Sequence, residues 1–237
     1  MFKFTVLLIL LSVASVSYSQ YNVHNFRVGL YGAYTTSASI FLNPNSADIV
    51  LRNESFDIED IFNPGIDVRY KVGESFIIGF NIEFIKSTAV SPNLNAFVGT
   101  SIVSLDVEDG FKLIPVELSA YYLLPFSTQD FKFLMGGGLA YYDGEFLRKL
   151  GDASVTNVEK QGAFGIHVSV SMDYMIRNNV AVSFGMKFRD PHLTVKSKYT
   201  EQEVKYNGYD VKLPQEPFDT KIEMENITFV LGIAFQI

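Results

Sequence analysis

The last eleven residues, Ile227 to Ile237, form a strictly alternating ladder. Ile227, Phe229, Leu231, Ile233, Phe235 and Ile237 are large and apolar, whereas Thr228, Val230, Gly232, Ala234 and Gln236 are mostly small or polar. Successive side chains on a strand point to opposite faces, so this segment has one greasy face and one small, polar face. Eleven residues is also about the length that a tilted strand needs to cross a bilayer. Such a face must be given either a protein core or hydrocarbon.

Seven further segments repeat the period of two: 26–30, 66–72, 76–84, 114–122, 133–141, 164–174 and 180–188. One parity carries mostly Phe, Ile, Val, Leu, Met or Tyr, and the other collects Gly, Ala, Ser and the charges. The pattern predicts an all-β chain of eight antiparallel strands. Segments 73–75, 125–132 and 177–179 make short connections, while 41–63, 87–110, 147–161 and 190–221 make long ones. Short and long alternate, with both chain ends on the short-turn side. That is the layout of a transmembrane β-barrel with tight periplasmic turns and long outside loops. A soluble eight-stranded barrel also alternates, but its apolar face points inward and its outside is polar. Here no charge interrupts the apolar face of a predicted spanning segment, and the small and charged residues share the opposite face. Hydrocarbon outside is therefore expected, with Tyr34, Tyr122, Tyr141, Tyr142, Tyr174, Phe126 and Phe133 as interface girdles; Trp is absent. Asn207-Gly208 within 190–221 favours a tight hairpin, so the last two strands are expected to rise above the membrane as a ribbon. A ten-stranded barrel is the weaker alternative, because Lys196, Lys198, Glu201, Glu203 and Lys205 would lie in its wall.

Met1 to Ser19 reads as a secretory signal: Lys3, an apolar run Phe4 to Leu11, then small residues with Ser17 and Ser19 at the cleavage site. The expected division is a signal peptide over 1–19 and a barrel domain over 20–237, or 218 residues (237 minus 19). The formal charge of −7, which becomes −8 without Lys3, argues against a nucleic-acid partner. The absence of Cys excludes disulfides, thiolate metal sites, thiol catalysis and lipidation of a lipobox cysteine.

Two stretches carry a resemblance to a known family. Leu113-Ile-Pro-Val-Glu-Leu-Ser-Ala-Tyr-Tyr-Leu-Leu-Pro125 has an Ile-Pro entry and a Tyr-Tyr exit, and Phe133-Leu-Met-Gly-Gly-Gly-Leu-Ala-Tyr-Tyr142 is a glycine-rich strand. Both resemble the bacterial outer-membrane β-barrel domain family, which includes relatives of outer-membrane proteins A and W. The terminal ladder is similar to the signal read by the barrel-insertion machinery, although it ends in Ile237 with Phe235 two residues before it. The resemblance implies a Gram-negative outer-membrane location. It also implies outer-membrane lipids and, during assembly, the insertion machinery as partners. It leaves the activity open, and no peptidoglycan-binding domain is expected after the barrel.

The lumen-facing parity collects Arg27, Asp67, Arg69, Lys71, Glu83, Glu117, His167, Asp173, Lys187 and Arg189. An eight-stranded barrel is only wide enough for its own side chains, so these charges must pair or stay wet. Counting from the short turns puts Glu83, Glu117, Lys187 and Arg189 in an outer layer. Asp67, Arg69, Lys71 and Asp173 fall in a periplasmic one. A structural network is expected, with a gated or small-solute pathway as the alternative. His167-Val-Ser169 is similar to the His-x-Ser pair of lipid A deacylases. In those enzymes the pair faces lipid, whereas the parity here turns both residues inward. No catalytic, cofactor or metal site is therefore assigned. Asp190-Pro191-His192 and the acidic groups Asp57, Glu59, Asp60 and Asp106, Glu108, Asp109 offer oxygen and imidazole ligands for a divalent cation, but solvated loop charge accounts for them. The expected function is structural, or binding of an extracellular ligand or protein through the long loops. The alternatives are a small-solute porin or hydrophobic-molecule channel and, last, a lipid A-modifying enzyme.

Overall fold

The computed structural model describes residues 25–98, 101–160, 162–206 and 208–237. The expected signal segment and Asn207 of the Asn-Gly pair lie outside these residues. The elements are β1 (Phe26–Phe41), α1 (Ile49–Asn53), β2 (Ser55–Lys71), β3 (Phe76–Glu83), β4 (Ile85–Val98), β5 (Ser101–Leu123), β6 (Phe131–Leu150) and β7 (Ala153–Lys160). There follow β8 (Ala163–Arg177), β9 (Val180–Arg189), β10 (His192–Tyr199), β11 (Glu203–Tyr206), β12 (Tyr209–Lys212), β13 (Phe218–Glu223) and β14 (Asn226–Gln236). No described helix is long and apolar enough to cross a membrane.

Eight strands form a ring in the order β1–β2–β3–β5–β6–β8–β9–β14, and β14 pairs again with β1. Every neighbouring pair is antiparallel. Their spanning parts are the eight alternating segments of the sequence. Ring closure matters physically, because an open edge in lipid would leave backbone groups unpaired at several kcal/mol each. The β11–β12 hairpin forms a two-stranded sheet of its own, so the spanning wall keeps eight strands rather than ten.

The four long loops of the sequence reading need correction, since most of their residues are strand. β1 and β2 stay paired up to Phe41 and Ser55, β4 pairs with β5 from Ile85–Leu113 to Val98–Ser101, and β6 runs on to Leu150. Above the spanning ring β7, β10 and β13 continue the wall, with β13 paired to β10 and to β1. Among the described residues no ladder joins β2 to β4, which leaves a seam in this upper tier. Pro64 stands at its foot: it has no N–H to donate, and its carbonyl accepts from the Phe84 amide at 3.1 Å.

The two tiers have opposite chemistry. In the lower tier Leu30, Phe62, Ile66, Phe80, Leu118, Leu139, Phe164, Phe184 and Leu231 are exposed on the outside. In the upper tier Ile40, Ile58, Ile85, Phe111, Leu113, Phe146, Leu193, Ile222 and Met224 are buried inside. A second buried cluster, with Leu105, Val107, Leu150, Val204 and Val211, fills the far end. A wall in hydrocarbon must turn apolar groups outward, whereas a wall in water gains about 1.5–3 kcal/mol for each large apolar side chain turned inward.

Two devices produce the inversion. In most strands the backbone keeps its parity and the sequence slips phase, which creates the apolar doublets Phe84-Ile85, Leu113-Ile114 and Tyr141-Tyr142. In β1 and β2 the backbone slips instead. Thr35 pairs with Ile61 and Ser37 with Glu59, so Thr36 and Asp60 leave the ladder together while the register on either side is kept. Asp60 takes a positive φ of 54°, and its carboxylate accepts from Tyr34 Oη at 2.7 Å. Buried side chains above this point are even-numbered (Ala38, Ile40, Ile58), and those below are odd-numbered (Thr35, Ile61, Asn63).

Paired aromatic rings mark both interfaces. Tyr34–Phe62 (4.9 Å between centroids) and Tyr141–Phe164 (5.2 Å) lie at the tier boundary. Phe76–Tyr122 (5.4 Å), Phe126–Phe133 (5.1 Å) and Phe131–Tyr174 (4.9 Å) lie near the short turns. Tyr142, expected in a girdle, is instead fully buried inside.

Candidate functional site

The lumen of the spanning ring is the candidate site. β3, β5 and β9 bring Glu83, Glu117, Lys187 and Arg189 together beneath the tier boundary. Lys187 Nζ donates to Glu83 Oε1 at 2.9 Å and to Glu117 Oε2 at 2.5 Å. Arg189 Nη2 donates to Glu83 Oε2 at 2.8 Å, and its Nη1 lies 3.7 Å from Glu117 Oε1. Glu83 also accepts from Tyr31 Oη (3.1 Å) and Asn63 Nδ2 (3.0 Å), so four donors converge on one buried carboxylate.

A second layer lies nearer the short turns. Arg27 pairs with Asp67, lies 3.2 Å from Asp173 Oδ1 and donates to Ser183 Oγ. Arg69 Nε is 2.9 Å from Asp67 Oδ2, and its guanidinium stands 4.6 Å over the Tyr121 ring. Gly29 makes room for this layer, because a Cβ there would collide with the Asp67 carboxylate. Across both layers four carboxylates (Asp67, Asp173, Glu83, Glu117) face four cations (Arg27, Arg69, Lys187, Arg189), so the buried charge sums to zero. Lys71 has no ion pair among the described residues; it lines the lower mouth beside Arg69, Lys132 and Asp173.

A cavity of about 40 Å³ separates the layers, lined by Tyr31, Asn81, Tyr121, Ser169, Ser171 and Lys187 among others. That is room for about three water molecules at roughly 10–15 Å³ each. The Ser169 and Ser171 hydroxyls and Arg69 Nη1 have no protein partner and are suited to them. His167 Nε2 lies 2.9 Å from Ser119 Oγ, so the imidazole engages Ser119 on β5 rather than Ser169. His167 is buried in the lumen, away from lipid.

Several participants are missed by charge counting. Tyr31, Asn63, Asn81, Ser119 and Tyr121 share the lumen parity, but nothing in their spacing singles them out. In the upper tier Asp109 corrects the reading of its acidic stretch as solvated charge. It is fully buried and takes a bidentate contact from Arg148, at 2.6 Å from Nε and 2.7 Å from Nη2. Arg148 Nη1 also reaches Tyr199 Oη at 3.3 Å. Burial by itself would lower the guanidinium pKa, but Asp109 outweighs it and holds the charge in place. Asp57, Glu59, Asp60, Asp106 and Glu108 are exposed. Asp190 and His192 meet Glu225 and Glu223 on the outer face of the wall.

No family model and no curated protein matches the chain. Solved structures do match. The outer membrane protein OprG from Pseudomonas aeruginosa aligns over 90% of this chain and 98% of its own, at 12% identity and a TM-score of 0.60. Neisserial surface protein A aligns over 90% and 97%, at 16% identity and a TM-score of 0.50. At such identities the likeness is one of fold. Together with the closed ring and its apolar belt, it gives this chain the fold of the bacterial outer-membrane β-barrels.

Proposed function

We propose that the protein is an integral outer-membrane barrel whose spanning lumen is plugged and whose function is exercised by the rigid upper tier at the cell surface. The observation that carries this reading is the convergence of Tyr31, Asn63, Lys187 and Arg189 on Glu83, with a dry apolar core stacked above it. A solute moving along the axis would have to break buried ion pairs and then part that core. The water-sized cavity is too small for a nutrient. What remains for recognition is the outer face of the upper tier and its hairpin tips, which suits binding of an extracellular ligand or protein.

The test is planar-bilayer recording of the refolded mature chain, paired with a binding or adhesion assay. A silent bilayer, with adhesion lost when 201–214 is replaced by a short turn, supports the reading. Large, steady conductance overturns the plug. One feature favours the rival hydrophobic-solute role: among the described residues no backbone ladder joins β2 to β4 at the seam above Pro64, so near the lipid boundary the upper wall is held there by side-chain packing alone. Solute uptake abolished by a disulfide clamping that seam would support the rival instead.

A further inference from the structure

At the tier boundary the outer face carries a group of side chains that the lumen does not use. Phe188 pairs with Ile227 at the top of the apolar belt, and Asp190 and Glu225 lie two residues above them, just past the end of β9 and just before the start of β14. His192 on β10 stands directly opposite Glu223 on β13 in the ladder. Its Nδ1 lies 2.9 Å from Glu223 Oε1 in hydrogen-bond geometry. Its Nε2 faces two further carboxylates, Asp190 Oδ1 at 2.8 Å and Glu225 Oε1 at 3.2 Å, neither in hydrogen-bond geometry. Asp190 Oδ1 is sealed from solvent and accepts no hydrogen bond. The three ligand atoms all lie within 4.8 Å of one another.

We propose that Asp190, His192 and Glu225 bind a transition-metal dication of the Zn²⁺ class, with Glu223 holding the imidazole in place. An Nδ1–H donated to Glu223 fixes the tautomer and leaves the Nε2 lone pair aimed between two carboxylates. Metal-bound imidazoles are characteristically held this way. Ligand atoms at about 2.0–2.2 Å from a tetrahedral zinc lie roughly 3.4 Å apart, so the two spacings from His192 Nε2, 2.8 and 3.2 Å, need to widen by only about half an ångström or less. One nitrogen and two oxygens select Zn²⁺ over Mg²⁺ or Ca²⁺, which prefer all-oxygen shells. The backbone presets the site. Pro191 restricts the turn between Asp190 and His192, and its carbonyl accepts from the Met224 amide at 3.3 Å, tying that turn to the strand carrying Glu223. Asp190, His192 and Glu225 remain roughly half exposed, which leaves a coordination position open to the medium. Lys221 pairs with Glu223, and among the described residues it makes no ion pair with the three ligands.

The experiment is calorimetric titration of the refolded mature chain in detergent micelles with ZnCl₂, then with CaCl₂ and MgCl₂. One Zn²⁺ per chain is expected, with no comparable heat from Ca²⁺ or Mg²⁺. His192→Gln and Asp190→Asn should each weaken Zn²⁺ binding at least tenfold. Glu223→Gln should weaken it about tenfold with the stoichiometry unchanged. Far-UV circular dichroism of each variant checks that the barrel still forms. Absence of Zn²⁺ binding, equal binding of Ca²⁺, or full Zn²⁺ affinity in a folded His192→Gln protein would each overturn the site and leave His192 as an ion-pairing residue.

Discussion

Glu83→Gln is the substitution that most directly probes the lumen. Its carboxylate is fully buried and takes bonds from Lys187 (2.9 Å), Arg189 (2.8 Å), Asn63 (3.0 Å) and Tyr31 (3.1 Å). The amide keeps the shape but loses two charge-assisted bonds, worth about 1.5–3 kcal/mol each. It also leaves two cations to share Glu117. Lys187 already contacts Glu117, so part of the loss is recovered, whereas Arg189 Nη1 is 3.7 Å away and gains little. A destabilisation of about 3–5 kcal/mol is expected, the range found when one partner of a buried pair is removed. Because the chain has no Trp, urea unfolding in lipid vesicles is best followed by circular dichroism. The double variant Glu83→Leu/Arg189→Met removes one charge of each sign and leaves Lys187 paired with Glu117. Because Tyr31 and Asn63 lose their acceptor there, it should still lie about 1–3 kcal/mol below the parent, but well short of the sum of the two single-variant losses. A single-variant loss below about 1 kcal/mol, or additive losses in the double variant, would refute the argument that the network is a tightly coupled plug.

Other outcomes follow from the two-tier wall. Leu231→Arg, in mid-belt, should cost about 2–4 kcal/mol in vesicle unfolding, the depth-dependent penalty of a cation facing lipid. Phe111→Ala in the upper core should cost about 3–5 kcal/mol, and accelerated proteolysis of the upper tier would report it. Asp109→Asn should loosen the far end through Arg148, visible as faster amide exchange around Tyr199 with the spanning ring unaffected. At the outer rim, partial burial raises the Glu223 pKa, but Lys221 and His192 outweigh it and hold the carboxyl below its ordinary value. Its stabilising contribution is therefore complete above about pH 4.3 and is lost as pH falls through the depressed folded value. Since the group is only partly buried, a few tenths of a kcal/mol is expected. The difference between the parent and Glu223→Gln, titrated from pH 6 to 3, measures it.

Much of the lower tier was legible in the chain. Alternation from Phe76 to Phe84 and from Val180 to Phe188 marked strands and faces alike, because hydrocarbon tolerates no charge on one side and the crowded lumen favours small groups on the other. Placing Lys187 and Glu83 on the lumen parity needed only that period of two. Their partners were not legible: Asn63 reaches Glu83 from the adjacent strand β2, and Tyr31 reaches it across the lumen face from β1, one strand further round the ring. The upper tier is not legible in the same way, for a physical reason. Segments 101–113 and 142–150 also alternate, but with charge on the exposed parity and in the opposite phase, so a search for charge-free apolar faces passes over them as loop. The doublets Phe84-Ile85, Leu113-Ile114 and Tyr141-Tyr142 are the signal that was available, each one a phase slip where lipid gives way to water.

Along the chain, side-chain parity and the short and long connections by themselves determined a closed, eight-stranded wall with hydrocarbon outside, since local chemistry dictates which face each residue can show to lipid. Tertiary structure alone decided how the wall continues above the membrane, that Asp109 is buried against Arg148, and that Glu225 comes to His192. These pairings join residues tens of positions apart, and their energies depend on distance and burial, which exist only once the ring has closed.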